Sequence, residues 1–382
     1  MNKGFRLPTE VILHPGALGR LSELLESRSY RRVLLVLDPG LEQTPWPEKL
    51  QSLVADSGGQ LSLFTEVEAN PRTATAEAVG RRARSEKAHV VVALGGGSAM
   101  DAAKAGALLA TNEGSALSFL NQNRFPHDPL PLIAIPTTCG TGSEVTWVSV
   151  LTHEATQRKI SLKGNQMFPD VALVDADLLT SLPAHLVAWT GMDALTHALE
   201  AVTGRLANPV SDALAEKAIF LLFQHLPAAV ANIAGEPHAR AQVMRASTLA
   251  GMAFGNADVG AVHCLSETLG AFYDIPHGLA NAVLLAPVLN YHRPFIHERL
   301  GELYRLLPTD GPASDSFESP AHAFLDRLAR LCAAVAVPPF SRLDVPPHDY
   351  DRIARAAVAN GSNGSNPQPM GVGNYRIILD SL

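Results

Sequence analysis

The chain has 382 residues, of which 47% are hydrophobic, 6% aromatic and 18% charged, with a net charge of -7. That length exceeds one ordinary core and implies two domains, while the composition excludes a disordered chain and a highly charged coil. The net acidity speaks against nucleic acid as the main partner. Met1 to Pro8 carries no apolar segment, and no later stretch reads as long and charge-free enough to span a bilayer. Cys139, Cys264 and Cys332 are too few and too scattered for a disulfide framework or a Cys-x-x-Cys metal site. The expectation is a cytoplasmic protein with reduced thiols and no membrane partner.

From the start to about residue 180, short β-branched runs alternate with helix-like segments. Val11 to Leu13, Val33 to Leu37, Leu61 to Phe64, Val90 to Leu94, Leu132 to Ile135 and Val171 to Asp175 read as strands. Leu18 to Glu26, Thr73 to Glu86 and Ala99 to Ala110 read as helices between them. Strands apolar on both faces and alternating with helices imply a parallel sheet covered on both sides. Beyond Pro183 the strand signals fade. Helices are expected over Asp193 to Val202, Ser211 to His225, His238 to Phe254, His263 to Tyr273, Leu279 to Leu289, Phe295 to Leu306, Ala321 to Ala334 and Asp349 to Val358. Pro308 to Pro320 and Asn360 to Asn366 read as surface loops. The expected organisation is therefore an α/β domain over 1–182 and an all-α domain over 183–382, with a ligand cleft between the two, and the residues below make the first the dinucleotide-binding domain and the second the metal-binding domain.

In the first half, Gly95, Gly96, Gly97 and Ser98 sit between a buried strand and a helix. Glycines there let the backbone approach a pyrophosphate, and the exposed N–H groups at the helix start favour that anion. The spacing departs from Gly-x-Gly-x-x-Gly, since Met100 stands at the third position. Asp38 ends the strand Val33 to Leu37, placed either to accept from a ribose diol or to open the turn Pro39-Gly40. Asp101 and Lys104 lie three apart in the first turns of the following helix and form a charge pair near its start. Thr137 and Thr138 begin the loop Pro136 to Glu144, whose hydroxyls and glycines face the usual ligand crevice of such sheets.

In the second half, Gly191 to His197 places Asp193 and His197 four residues apart, on one face of a helix. His263 and His277 follow. One carboxylate and three imidazoles make a complete ligand set for a divalent transition metal.

Taken together these residues resemble the iron-containing, group III alcohol dehydrogenases. The similarity runs over nearly the whole chain, through Asn70-Pro71, Gly95 to Ser98 with Asp101 and Lys104, Pro136 to Thr138 with Gly142 to Glu144, Gly191 to His197, and Pro276 to Gly278. By that resemblance Asp193, His197, His263 and His277 are the metal ligands. Gly95, Gly96, Gly97, Ser98, Asp38, Asn70, Thr137, Thr138 and Lys159 match positions that contact nicotinamide cofactor, and Asp101 belongs to the same motif. The implied cofactors are NAD and Fe2+, with Zn2+ as the other metal, and the implied assembly is a homodimer.

Two departures bear on substrate. Glu267 stands where many members have a second histidine after His263, and Trp147 with Val148 occupies a stretch that shapes the pocket in relatives. One turn beyond His263, Glu267 reads as an extra ligand, a solvated side chain or a proton relay between substrate oxygen and solvent, and the relay is the reading taken. The expected activity is a metal-dependent, NAD-linked interconversion of a small alcohol and its aldehyde or ketone. The rivals are a glycerol dehydrogenase-like, maleylacetate reductase-like or dehydroquinate-synthase-like enzyme on the same scaffold, and a non-catalytic nucleotide-binding protein.

Overall fold

The computed structural model of the chain describes residues 4–156, 158–308 and 319–382. It divides into two units, Leu7–Leu182 and Pro183–Leu382, and residues 4–6 go with the second. There the backbone of Arg6 exchanges hydrogen bonds with the Asn256 side chain, at 2.7 and 3.2 Å.

The first unit is built on a parallel sheet, as the apolar runs predict. Its strands are β1 (Glu10–Leu13), β2 (Arg32–Leu37), β3 (Gln60–Phe64), β4 (Val90–Gly95), β5 (Leu132–Pro136) and β8 (Val171–Val174), in the order β1-β8-β5-β4-β2-β3. Helices α1 (Leu21–Ser27), α2 (Trp46–Asp56), α3 (Thr73–Ser85) and α4 (Gly97–Thr111) complete it. Alternate residues of each central strand feed two cores. Leu35, Leu37, Val92 and Leu94 pack with Leu21, Leu25 and Leu50 on one face, and Val36, Val91 and Ala93 pack with Val79, Met100 and Ala103 on the other. Burying any one of these Val or Leu side chains stabilises the unit by about 1.5–3 kcal/mol. The direction of strand succession reverses between β2 and β4, which is where such sheets bind ligands at the carboxyl ends of their strands.

The sequence reading misses α2 and an antiparallel hairpin, β6 (Val148–His153) with β7 (Arg158–Lys163). The helix expected from Leu18 is a 3-10 turn, Ala17–Arg20, followed by α1.

The second unit is helical, as expected: α5 (Ala184–Thr203), α6 (Pro209–Asn232), α7 (Pro237–Ala257), α8 (Ala261–Tyr273), α9 (His277–Leu306), α10 (Pro320–Ala334), α11 (Tyr350–Val358) and α12 (Val372–Asp380). Two corrections concern breaks. The helices expected at Leu279 to Leu289 and Phe295 to Leu306 are one helix, α9, which runs through Pro287 and Pro294. Its buried stripe continues past both, through Leu284, Val288, His292, Ile296 and Leu300, so packing outweighs the lost backbone bonds. The segment Asn360 to Asn366, expected as a surface loop, is instead tucked in, with Ser362, Ser365 and Asn366 buried. The loop expected at Pro308 to Pro320 lies, from 309 to 318, outside the described residues.

A third correction concerns bilayer-length segments. Helix α6 is long and apolar enough to cross a membrane by length and composition. In this fold it packs on α5 and α7, burying Ala215, Ala218, Ile219, Leu222 and Leu226.

Candidate metal centre and nucleotide cradle

In the helical unit, α5, α8 and α9 bring four side chains to one point. Asp193 and His197 lie one turn apart on α5, His263 lies in the first turn of α8, and His277 is the first residue of α9. Their ligand atoms all fall within 4.8 Å of one another. Asp193 Oδ1 is 3.8 Å from His197 Nδ1, 3.9 Å from His263 Nε2 and 3.7 Å from His277 Nε2. Bonds of about 2.0–2.2 Å from one tetrahedral ion put its ligands roughly 3.4 Å apart, so the set fits a divalent transition metal with a small contraction. His277 is 37% exposed at its side chain, whereas His197, His263 and Asp193 are at most 5% exposed.

Asn281, one turn after His277 on α9, marks the point on which the lone pairs converge. Its Nδ2 lies 2.6 Å from Asp193 Oδ1, 3.2 Å from His263 Nε2 and 3.1 Å from His277 Nε2. Its Oδ1 is buried with no hydrogen-bond partner among the described residues.

Glu200, one turn after His197, supplies what sequence reasoning missed. Its Oε2 is 2.5 Å from His263 Nδ1, and its Oε1 accepts from Val262 N at 2.7 Å. The carboxylate holds the Nδ1 proton and leaves Nε2 as a lone pair aimed into the cluster, an arrangement typical of metal-ligating histidines. Burial disfavours a charged His263 ring, yet Glu200 and Asp193 more than offset it and raise the pKa, so this pocket attracts positive charge. Phe254 of α7 stacks on the His197 ring at 4.1 Å and fixes its plane.

The start of α8 is held by the 360–366 segment. Asp258 has φ 64° and ψ -178°, a region that otherwise belongs to glycine, at a cost of about 1–3 kcal/mol. Its two oxygens accept from Ser362 Oγ at 2.8 Å and Ser365 Oγ at 2.5 Å. Glu267, partly buried and one turn beyond His263, accepts from Asn360 Nδ2 at 2.6 Å.

In the α/β unit, the candidate nucleotide groups gather at the carboxyl ends of adjacent strands. Asp38 follows β2, Gly95 ends β4 and Thr137 follows β5. A Cβ on Gly95 would come within 2.7 Å of both Asp38 Cβ and Ala99 Cβ, so glycine is required for β2, β4 and α4 to meet. Gly96 lies against Thr138 and Gly97 against Thr141. Helix α4 opens at Gly97 with no side-chain cap, and Thr138 Oγ1 is buried without a hydrogen-bond partner among the described residues. An orphaned hydroxyl beside an uncapped helix start fits a phosphate. Asp38 also accepts from Gly40 N at 2.9 Å, so it serves the turn as well.

Asn70 and Lys159 form a second group. Asn70 has φ 56°, and its Oδ1 accepts from Lys159 Nζ at 2.8 Å. Asp101 turns inward instead: its Oδ1 accepts from Ser143 Oγ at 2.9 Å and its Oδ2 from Val150 N at 3.0 Å. Lys104, 1% exposed, donates to Ser143 Oγ, Thr146 Oγ1 and the Val148 carbonyl at 2.8, 3.1 and 2.9 Å. Burial pushes its pKa down to about 8 against the opposing pull of Asp101 and Glu144. These two residues brace the hairpin and the Thr137 to Glu144 loop against α4.

Comparison with known proteins identifies the family. Residues 8–176 match the family model "Iron-containing alcohol dehydrogenase", and residues 187–381 match "Fe-containing alcohol dehydrogenase family, C-terminal". "Alcohol dehydrogenase 4" of Schizosaccharomyces pombe is 35% identical over 366 residues, 95% of this chain and 85% of that one. A crystal structure of 1,3-propanediol oxidoreductase superposes with a TM-score of 0.94 at 33% identity, over 99% of both chains. A sulfoacetaldehyde reductase from Bifidobacterium kashiwanohense, solved in complex with NAD+, gives 0.88 at 28% identity, over 100% of this chain and 99% of that one. The chain belongs to the iron-containing alcohol dehydrogenase family.

Proposed function

We propose that this alcohol dehydrogenase interconverts a small primary alcohol or diol and its aldehyde, with Asp193, His197, His263 and His277 holding a divalent metal, iron before zinc. The observation that carries the reading is the convergence of one carboxylate and three imidazoles within 4.8 Å. When bound, the metal supplies Lewis-acid polarisation of the substrate oxygen, and NAD(H) supplies or takes the hydride. Everything else falls to the chain. Glu200 holds His263 in the ligating tautomer, Phe254 holds the His197 plane, and the exposed edge of His277 is the side open to substrate. Gly95 to Ser98 with Thr137 and Thr138 receive the pyrophosphate, and Asn70 with Lys159 contacts the cofactor; Asp101 supports that surface from behind. The substrate class is supported by the names of the alcohol dehydrogenase and propanediol oxidoreductase relatives. A cytoplasmic homodimer completes the proposal. No disulfide joins Cys139, Cys264 and Cys332, which suits a reducing compartment, and two-fold dimers are the commonest oligomers.

Glu267 is assigned as the proton carrier between substrate oxygen and solvent. Its place one turn from His263, and its charge acting on that ring, support the reading. Glu267→Gln keeps the shape and the Asn360 contact, so it should retain metal while turnover falls by about 10²-fold. Unchanged turnover and pH profile would remove the assignment.

Asp38 is assigned as the group that selects NAD. A 2′-phosphate brings about -1.5 to -2 charge beside its carboxylate. Asp38→Gly should gain NADP-linked activity, read as the ratio of kcat/KM for the two cofactors. Equal use of both by the wild type would leave Asp38 as a turn residue.

The overall reading is tested by following NADH absorbance with a panel of short alcohols, diols and aldehydes. Metal-loaded protein that turns over none of them would refute it.

A further inference from the structure

Glu200 also forms part of the wall of a small cavity inside the helical unit. The cavity has a volume of about 10 Å³, and Gly260, His292 and Asn366 share its wall with Glu200. His292 is 3% exposed, and Gln368 Nε2 lies 3.3 Å from its Nδ1. An amide nitrogen only donates, so Nδ1 accepts and the hydrogen of the neutral ring sits on Nε2, which makes no well-formed hydrogen bond among the described residues. Burial keeps the ring neutral, pushing its pKa down to about 4 against the pull of Glu200 and Asn366. Asn366 is 1% exposed, and its Nδ2 donates to the Asn363 carbonyl at 2.9 Å. That bond orients the amide and leaves Oδ1, also without a well-formed hydrogen bond among the described residues, as the acceptor. A Cβ on Gly260 would lie 2.9 Å from Asn366 Oδ1 and 3.1 Å from Glu200 Oε1, so two acceptor oxygens border one space. Neither can donate to the other.

We infer that this cavity is a site for one water, which accepts from His292 Nε2–H and donates one hydrogen to Asn366 Oδ1 and the other to the Glu200 carboxylate. One donor facing two acceptors is the complement of a water molecule, and the volume matches the roughly 10–15 Å³ that one requires. A cation would instead meet the Nε2 hydrogen. His292 and Asn366 thereby become positioning residues: they fix Glu200, which fixes His263. Their effect on metal binding rests on the metal reading above, whereas the water does not.

The test pairs a crystal structure of the metal-loaded wild type, at a resolution that orders waters, with cobalt(II) substitution of two variants. The structure should show a single water within hydrogen-bond distance of all three groups. His292→Leu removes the donor, and it should raise the cobalt dissociation constant about tenfold, the low end for groups behind a metal ligand, and shift the visible cobalt band. His292→Gln restores an N–H donor and should return both readings toward the wild type. A wild-type cavity without water, or a folded His292→Leu protein with wild-type affinity and spectrum, would overturn the inference. If His292→Leu does not fold, the wild-type structure decides. If the wild type takes up no cobalt, the metal reading fails while a crystal structure of the wild type as isolated still decides the water.

Discussion

Asp193→Ala should yield a folded protein that has lost nearly all its metal and turns over about 10³-fold more slowly, the rate equivalent of roughly 4 kcal/mol of lost electrostatic stabilisation. Asp193 is the carboxylate of the proposed four-ligand set, and its Oδ1 lies 3.7–3.9 Å from all three imidazoles. Removing it leaves neutral nitrogens to hold a dication in a buried pocket, where an uncompensated charge is costly. It also takes away the acceptor at 2.6 Å that anchors Asn281. His263→Ala should behave likewise. It also strands Glu200, whose Oε2 faces the His263 ring at 2.5 Å. Elemental analysis and a thermal melt on the same sample separate lost metal from a lost fold, and full occupancy in either variant would remove that residue from the ligand set.

The second large effect is on stability. Lys104→Met should destabilise the α/β unit by about 3–5 kcal/mol, because it strips three oxygens of their buried donor and leaves the desolvated Asp101 carboxyl without the nearby compensating charge. Lys104 satisfies three oxygens, and its charge acts on Asp101 and Glu144. A loss of that size lowers the melting temperature of a unit this long by about 10 °C. The pH dependence has a definite sign. Burial lowers the folded pKa of Lys104 to about 8 from 10.5, so between those values the unfolded chain binds the extra proton. This group therefore makes the wild type gain stability as pH rises through that window, and the methionine variant lacks the gain. Melts of both proteins across the window check the sign, and a variant as stable as the wild type at neutral pH would contradict the brace.

Much of this was legible from periodicity. Val33 to Leu37 and Val90 to Leu94 are buried on both faces, and such runs have few alternatives to a parallel strand. Asp193 and His197 share a helix face by spacing alone. The same rule, carried one turn further, reaches Glu200, and from His277 it reaches Asn281; ligand spacing alone does not mark either, because their roles depend on partners from other helices. The β6–β7 hairpin was harder, since Val148–His153 and Arg158–Lys163 flank a turn without glycine and carry mixed polar residues. Helix α9 hid behind its prolines, where local rules predict a break and the buried stripe overrides them. The burial of Ser362, Ser365 and Asn366 has no local signal at all. Those side chains are polar because they answer Asp258, Asn363 and the wall of the cavity, all of which only the fold brings near.

The most direct test of the central claim is turnover and metal content measured together on one preparation, before and after chelation. The account predicts NADH-linked turnover of a short alcohol or aldehyde at about one divalent metal per chain. Chelation should abolish that turnover in step with the metal, and re-addition of Fe2+ should restore it. Turnover that persists undiminished in metal-stripped protein would contradict the account.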